Sequence, residues 1–208
     1  MQRPHVLLDY DGVLLRSPTL VRYQAAASAR FVQRHTQLSL ATCHEVNAKF
    51  YRTYGHTVSL LRQMFKRNVS LEEYNDFVFS RARVRRLAPL LTRETVDHFQ
   101  RFEGVLSAES WSVFTNAHAT WVTETSRMCG LPVDEADVIA PTSLEHLKPN
   151  PIAYERVEGL FPPDTRFVFA DDSFENLVQR QRWTCLTFDG RSGPDAILRA
   201  LAAPRIRT

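Results

Sequence analysis

The chain has 208 residues, of which 44% are hydrophobic and 24% charged, and a formal net charge of +3. Such a length fits one domain, or one domain with an insert, and the composition is that of a globular protein. The longest apolar runs are far shorter than the roughly 20 residues of a membrane span. No membrane partner is expected, and the modest charge predicts no nucleic-acid partner.

Strand-like and helix-like segments alternate near the N-terminus and through the second half of the chain. Short apolar runs that lead into polar residues predict buried parallel strands, at residues 6–8, 111–114, 166–169 and 184–188. Helical patterns follow them at residues 118–128, 150–159, 173–181 and 195–203. Gly130 is a predicted C-cap, and Asn150 is a predicted N-cap before Pro151. This alternation predicts an α/β fold with a Rossmann-like parallel sheet.

The segment between the first two predicted strands is different, because it is helical almost throughout. Ser70 and Glu73 have the spacing of a capping box. Apolar and aromatic residues recur there at helical spacing, namely Phe50, Tyr51, Tyr54, Leu61 and Phe65. An insert after the first strand lies over the sheet edge where open α/β folds bind ligands. We therefore predict a helical cap domain at residues 16–105 and a core domain formed by residues 1–15 and 106–208.

The N-terminus reaches Asp9 too soon for the apolar segment of a signal peptide to precede it, which predicts a cytoplasmic protein. The three cysteines are odd in number and far apart, and none forms a CxxC pair. This pattern fits neither a metal site nor a disulfide framework. We expect reduced, mostly buried thiols at Cys43, Cys129 and Cys185.

Asp9 and Asp11 come directly after the first predicted strand, with Gly12 beside them. Two carboxylates at this spacing repel each other unless they share a proton or a cation. Mg²⁺ prefers oxygen ligands and needs only a few carboxylates, because it keeps several waters. Gly12 allows the backbone to turn sharply. Taken alone, a solvated turn at the end of a strand explains this motif equally well.

Two further candidate sites follow later strands. Thr115 and the backbone N–H of Asn116, after the second predicted strand, can bind phosphate oxygens. Lys148 stands just before a predicted helix, and lysine is rare here, since 23 of the 26 basic residues are Arg. Rarity makes Lys148 a candidate for a site that requires a compact ammonium. An exposed loop lysine is the alternative interpretation.

Asp171 and Asp172 follow the third long apolar run, and Asn176 comes one turn later. Two adjacent acids in this place supply metal ligands that the first acidic pair lacks. The four motifs, in this order, resemble those of the haloacid dehalogenase-like phosphatases along nearly the whole chain. The segments at residues 51–57, 114–117, 148–154 and 171–176 are similar to those of the pyrimidine 5'-nucleotidases within that superfamily.

The resemblance implies a reaction through an aspartyl-phosphate. Asp9 would attack phosphorus, and Asp11 would act as general acid and then as general base. Thr115, the backbone N–H of Asn116 and Lys148 would hold the phosphoryl oxygens. Dehalogenating relatives need no general acid for a halide, and they generally lack the second aspartate.

The resemblance also implies Mg²⁺ as the cofactor. The metal would be held by the Asp9 carboxylate, the Asp11 backbone carbonyl and Asp172. Asp171 would be a direct or a water-mediated partner, and Asn176 would orient the acidic loop. The ion would offset the charge of nucleophile and phosphate and so let the two anions approach.

The substrate class implied is a small phosphate ester, first of all a pyrimidine nucleoside 5'-monophosphate. A phosphatase of sugar or other metabolite phosphates is the nearest alternative, and a catalytically inactive binding module is a third. The basic cluster at residues 81–86 could attract a nucleotide, although a solvated helix face is the favoured interpretation. The sequence predicts no oligomeric state.

Overall fold

The structure, a computed structural model, describes residues 3–54, 56–108, 110–141, 146–188 and 193–202. Side chains are described for the same residues except 51–54 and 108. Of the predicted features, Gly55 and Ala203 lie outside the described residues, as do the side chains of Tyr51 and Tyr54.

The core of the described chain is a parallel sheet of five strands. These are β1 (His5–Leu8), β2 (Trp111–Phe114), β3 (Val138–Ile139), β4 (Phe167–Asp171) and β5 (Trp183–Thr187). Their order across the sheet is β3-β2-β1-β4-β5, so that β1 pairs with β2 on one side and with β4 on the other. All four residues of β1 are buried, as expected for a central strand covered on both faces. The predicted α/β fold with a parallel sheet is confirmed.

The helical insert is confirmed over the described residues, which form seven α-helices between β1 and β2. Their bounds are α1 (Pro18–His35), α2 (Leu40–Tyr54), α3 (Thr57–Gln63), α4 (Leu71–Phe79), α5 (Arg81–Arg85), α6 (Arg93–Gln100) and α7 (Glu103–Ala108). Local sequence sets several of the starts. Ser17 caps α1 by accepting from the Leu20 N–H, and the Ser70 hydroxyl accepts from the Glu73 N–H at 2.9 Å.

Three more helices of the described residues flank the sheet, namely α8 (Ala119–Met128), α9 (Pro151–Gly159) and α10 (Asp195–Ala202). The Asn150 side chain accepts from the Ile152 N–H at 3.0 Å, which confirms the predicted cap of α9. Gly130 has a φ of +79° just after α8, as a helix C-terminus favours. All three described cysteines are free, and Cys43 and Cys129 are buried.

The predicted helix at residues 173–181 is wrong. Only a single 3-10 turn, Phe174–Asn176, forms there, and Leu177 continues in an extended conformation. The Asn176 side chain donates back to Asp171, and Leu177 and Val178 pack into the apolar cluster around Phe169. Strand β3 was not predicted, because two residues carry no readable periodicity.

The two faces of the sheet carry separate apolar clusters, because successive side chains of a strand point to opposite sides. Val6 and Leu8 face the insert and belong to a cluster that continues into its helices. Leu7 faces the other way, toward Phe169, Tyr154 and Trp183. Strand β1 is therefore held from both sides just before it delivers Asp9.

Helices α6 and α7 lie against the core as well as the insert. The His98 ring hydrogen-bonds to the Val13 carbonyl at 2.8 Å, and Phe99 packs on Tyr10. The Trp111 indole N–H donates to the Leu106 carbonyl at 2.7 Å. The boundaries of the cap at residues 16 and 105 stay a prediction.

The basic cluster at residues 81–86 contacts the core through one acid. Glu124 lies on α8 and has 3% of its side chain exposed. It forms ion pairs with Arg81 at 3.0 Å and with Arg85 at 2.7 Å. Arg127 pairs with the same carboxylate at 3.1 Å. The Arg81 and Arg85 side chains nevertheless remain largely exposed, which agrees with the interpretation of the cluster as a solvated helix face. None of the described helices is both long and apolar enough to cross a bilayer.

Leu7→Ala is expected to lower the free energy of unfolding by about 2–5 kcal/mol. The reason is that Leu7 is fully buried, with 0% exposure, so the smaller side chain leaves a cavity. Leu160→Ala is the matched control, since Leu160 is 61% exposed, and its cost should stay within about 0.5 kcal/mol. Urea denaturation of both variants measures the difference. Equal costs would show that β1 is not packed as described.

Candidate active site

The predicted motifs meet at one edge of the sheet. Asp9 follows β1, Thr115 follows β2, and Asp171 ends β4, so the parallel strands bring these residues to the same side. A cavity of about 470 Å³ opens above this edge. Its floor comes from the core motifs, and its wall comes from α1, α2, α4 and nearby residues of the insert.

Lys148 is the central contact of the site. Its ammonium donates to Asp9 Oδ1 at 2.9 Å, to Asp171 Oδ2 at 2.6 Å and to the Phe114 carbonyl at 2.8 Å. Only 1% of the residue is exposed, so the alternative of an exposed loop lysine is wrong. Burial would lower the pKa of Lys148, but the neighbouring Asp9 and Asp171 carboxylates raise it above its usual value.

Asn116 holds the loop that delivers Lys148. Its side-chain amide donates to the Lys148 carbonyl at 2.9 Å, and its Oδ1 accepts from the Lys148 N–H at 2.8 Å. The sequence indicates only the backbone N–H of Asn116 as a site group, and no motif marks this side-chain contact. Within the described chain the Asn116 backbone N–H has no acceptor, which leaves it available to a phosphate oxygen.

Thr115 is buried at the cavity floor, as expected for a phosphate-binding position. Its hydroxyl oxygen accepts from the Ala117 N–H at 3.0 Å, which fixes the turn after β2. The hydroxyl proton remains available as a donor, because a threonine side chain both accepts and donates.

The acidic residues from opposite ends of the chain also meet. Asp9, Asp171 and Asp172 each place a carboxylate oxygen within 4.8 Å of the other two. Oxygens bound to one Mg²⁺ at about 2.0–2.1 Å lie about 3–4 Å apart, so this donor set fits the ion after a small closure. The chemistry of the cluster, carboxylates with room for water, is also what Mg²⁺ prefers.

Asp171 and Asp172 differ in what their oxygens already bind. Asp171 accepts from Lys148, from the Ser173 N–H at 2.8 Å and from the Asn176 amide at 3.0 Å. Asp172 is exposed and lines the cavity. The geometry therefore favours Asp172 as a direct ligand and Asp171 as a residue that fixes Lys148 and the loop. The Asn176 amide donates to Asp171 at the start of the acidic loop, and its role in orienting that loop stays a prediction.

Gly12 is required by both conformation and space. Its φ of +93° is a backbone conformation that favours glycine. A Cβ at this position would lie 2.1 Å from Asp172 Oδ2. Any side chain here would displace the proposed metal ligand.

Three carboxyl groups of the site, those of Asp9, Asp11 and Asp172, have pKa values shifted toward the protonated form. Burial, together with repulsion from Asp171 and Asp11, raises the pKa of Asp9 to about 8 despite Lys148. Although the Asp172 residue is exposed, its carboxyl group is partly desolvated by the cavity around it, and this desolvation and the charge of Asp171 raise its pKa to about 6. Burial also raises the pKa of Asp11. A divalent cation among these oxygens would reverse the trend, because it stabilises the ionised carboxylates.

Asp11 is held by two donors that the sequence did not single out. The Trp121 indole N–H donates to Asp11 Oδ1 at 3.0 Å, and the Gln24 amide donates to Asp11 Oδ2 at 3.2 Å. Gln24 lies on α1 and Trp121 on α8, 13 and 110 residues away from Asp11. No motif spacing marks either residue.

No family model matches the chain, and no curated protein matches it significantly. A haloacid dehalogenase-like protein of known structure from Burkholderia xenovorans LB400 is 14% identical, with a TM-score of 0.51 over 90% of this chain and 82% of its own. The chain has the haloacid dehalogenase-like fold.

Two further structures of haloacid dehalogenase-like proteins are similar. A HAD phosphatase from Thermococcus onnurineus is 12% identical, covers 93% of this chain and 97% of its own, and has a TM-score of 0.48. An L-2-haloacid dehalogenase is 13% identical and has a TM-score of 0.47. The match covers 85% of this chain and 79% of the dehalogenase. The conclusion on the fold rests on the Burkholderia structure, and the names of the other two describe different reactions. The pyrimidine 5'-nucleotidase branch stays a prediction.

Asp9→Asn is expected to remove a pH dependence of stability in the metal-free protein. Between the ordinary aspartate pKa of 3.8 and the raised pKa of about 8, folded Asp9 keeps a proton that the unfolded chain releases. Folding stability therefore falls as pH rises through this window. Urea unfolding in EDTA at pH 5 and pH 8 should show a larger fall for the wild type than for Asp9→Asn. The same fall in both proteins would contradict the raised pKa.

Proposed function

We propose that the protein is a Mg²⁺-dependent phosphomonoesterase that works through an aspartyl-phosphate on Asp9. The observation that carries the proposal is the meeting of Asp9, Asp172 and the Lys148 ammonium at the floor of one cavity. A carboxylate nucleophile, oxygen ligands for a cation and a fixed positive charge are the groups that phosphoryl transfer needs.

In the first step, an Asp9 oxygen attacks phosphorus, and the bond from phosphorus to the ester oxygen breaks. Asp11 gives its proton to the departing alcohol oxygen. In the second step, water attacks the phosphorus of the aspartyl-phosphate while Asp11 takes a proton from it. The bond from phosphorus to the Asp9 oxygen then breaks, which releases inorganic phosphate and restores Asp9.

Charge stabilisation comes from groups that are already in place. Lys148 lies against Asp9 and is positioned to neutralise a phosphoryl oxygen beside it. Thr115 and the Asn116 backbone N–H supply neutral donors at the end of β2. Mg²⁺, when bound by Asp9, Asp172 and the Asp11 carbonyl, would withdraw charge from the phosphoryl group and orient it for in-line attack.

Asp11 favours a phosphatase over a dehalogenase. A halide leaves without a proton, so a dehalogenase has no use for an acid in this position. Here Asp11 lines the cavity and is fixed by two hydrogen bonds, which supports a role in protonating an alcohol.

The cap side of the cavity supports an uncharged leaving group. All the charged side chains among the described lining residues belong to the core motifs, while the insert contributes Val21, Gln24, Ala25, Ser28, Asn47, Ala48, His56, Tyr74 and Phe79. Burial lowers the pKa of His56 to about 4, so this ring is neutral near pH 7. A nucleoside or a sugar suits such a wall better than an acid or a second phosphate. Pyrimidine nucleoside 5'-monophosphates remain the first candidate, on the motif resemblance.

Phosphate release from a panel of esters with Mg²⁺ tests the proposal. UMP and CMP are expected to have kcat/KM at least about tenfold above that of glucose 6-phosphate, a difference of about 1.4 kcal/mol in transition-state binding. Phosphoserine, with its charged leaving group, should be slower still. Asp9→Asn should lower turnover by roughly a thousandfold or more, because the nucleophile is lost.

Asp164→Asn is the matched control, because it makes the same change at an exposed turn, and it should leave turnover unchanged. Sugar phosphates turned over as fast as UMP would defeat the nucleotide preference and leave a general metabolite phosphatase. No release from any ester, with no effect of Asp9→Asn, would replace the enzyme with an inactive binding module.

A further inference from the structure

The two hydrogen bonds to Asp11 come from different parts of the molecule. Trp121 belongs to α8 of the core, and its buried indole also packs on Phe79, the last residue of α4 in the insert. Gln24 belongs to α1, the first helix of the insert. The Asp11 carboxylate is thus fixed on one side by the core and on the other by the insert.

The helix that carries Gln24 is tied firmly to the rest of the insert. Ser28, one turn further along α1, shares a 2.7 Å hydrogen bond with the Tyr74 hydroxyl of α4. Phe31 packs edge-on against the same Tyr74 ring, with centroids 5.2 Å apart. Gln24 therefore lies on a helix whose position is fixed by its contacts with α4 of the insert.

The helix that carries Trp121 is tied to the strand that delivers the acid. The Tyr10 hydroxyl, next to Asp11 in sequence, is 2.6 Å from the Thr125 hydroxyl and donates to the Val122 carbonyl of α8. Trp121 is therefore held beside Asp11 by contacts between α8 and the segment after β1, whereas Gln24 reaches Asp11 from the insert.

The two donors also differ in chemistry. An indole N–H can only donate, so Oδ1 of Asp11 must remain an acceptor as long as the Trp121 contact is kept. The proton that Asp11 passes to the leaving group is then carried by Oδ2. A glutamine amide offers both a donor and an acceptor, and after rotation it can accept from an O–H on that oxygen. Gln24 suits both forms of the acid.

We propose that Gln24 and Trp121 are positioning residues for Asp11, and that the seating of α1 over the core is what aligns the acid with the leaving oxygen. The inference rests on the proposed function. It makes the insert a participant in leaving-group protonation, beyond its role as a wall of the cavity. A substrate whose binding places α1 correctly over the core thereby aligns Asp11 with the leaving oxygen of that substrate.

The consequence is a dependence on the leaving group. An alkyl alcohol is a poor leaving group and needs the proton, whereas p-nitrophenolate departs without one. The parameter kcat/KM covers only the steps up to release of the alcohol, so it isolates this difference from the later attack of water. A residue that merely supports the fold would affect both esters alike.

Gln24→Met keeps the length and shape of the side chain and removes both polar groups. It is expected to lower kcat/KM for an alkyl ester, such as UMP or glycerol phosphate, by roughly tenfold, and to leave p-nitrophenyl phosphate within about twofold. Gln33→Met is the matched control, because Gln33 lies on the exposed side of the same helix. It should change neither ester. Equal losses for both esters in Gln24→Met, or no loss, would overturn the inference.

NMR spectroscopy of the metal-free protein separates this inference from the proposed function. The chain has three tryptophans, so the indole N–H signal of Trp121 can be assigned by its loss in Trp121→Phe. Asp11→Ala should move this signal upfield, as loss of a hydrogen bond does, and leave those of Trp111 and Trp183 in place. An unmoved Trp121 signal would overturn the positioning role. A moved signal in a protein that hydrolyses neither ester would leave the contact standing and reject the enzyme.

Discussion

The buried ammonium of Lys148 is the interaction on which the candidate site depends. Burying an isolated charge is costly, and Lys148 avoids the cost by bonding to Asp9, Asp171 and the Phe114 carbonyl at once. These bonds join the ends of β1, β2 and β4 to the loop before α9. Three carboxylates around one ammonium still leave two negative charges when all are ionised, and a single divalent cation would balance them.

The molecule divides its chemistry between two parts of the fold. The sheet edge holds the charged groups, where buried strands fix their positions to within a hydrogen bond. The helical insert supplies a wall of the cavity whose described lining residues are neutral. Gln24 connects the two parts, because it lies on α1 of the insert and its amide donates a hydrogen bond to Asp11. In the proposed mechanism, Gln24 therefore links protonation of the leaving group to the insert, whose described wall carries no charged group.

The sequence predicts well what is encoded locally and poorly what depends on distant contacts. The strand ends that carry Asp9, Thr115 and Asp171 follow from short apolar runs, and the caps of α4 and α9 follow from Ser70 and Asn150. Gln24 and Trp121 could not be found, because their role exists only once α1 and α8 pack beside Asp11. The supposed helix at residues 173–181 failed for the same reason, since Asn176 bonds back to Asp171 across the turn.

Calorimetric titration of Mg²⁺ into the metal-free protein tests the proposed metal centre. One Mg²⁺ per chain is expected for the wild type and for the surface variant Asp164→Asn. Asp172→Asn should weaken binding by at least roughly tenfold, because it removes the most accessible carboxylate of the cluster. Binding that is absent from the wild type, or that survives unchanged in Asp172→Asn, would contradict a metal centre at the end of β1.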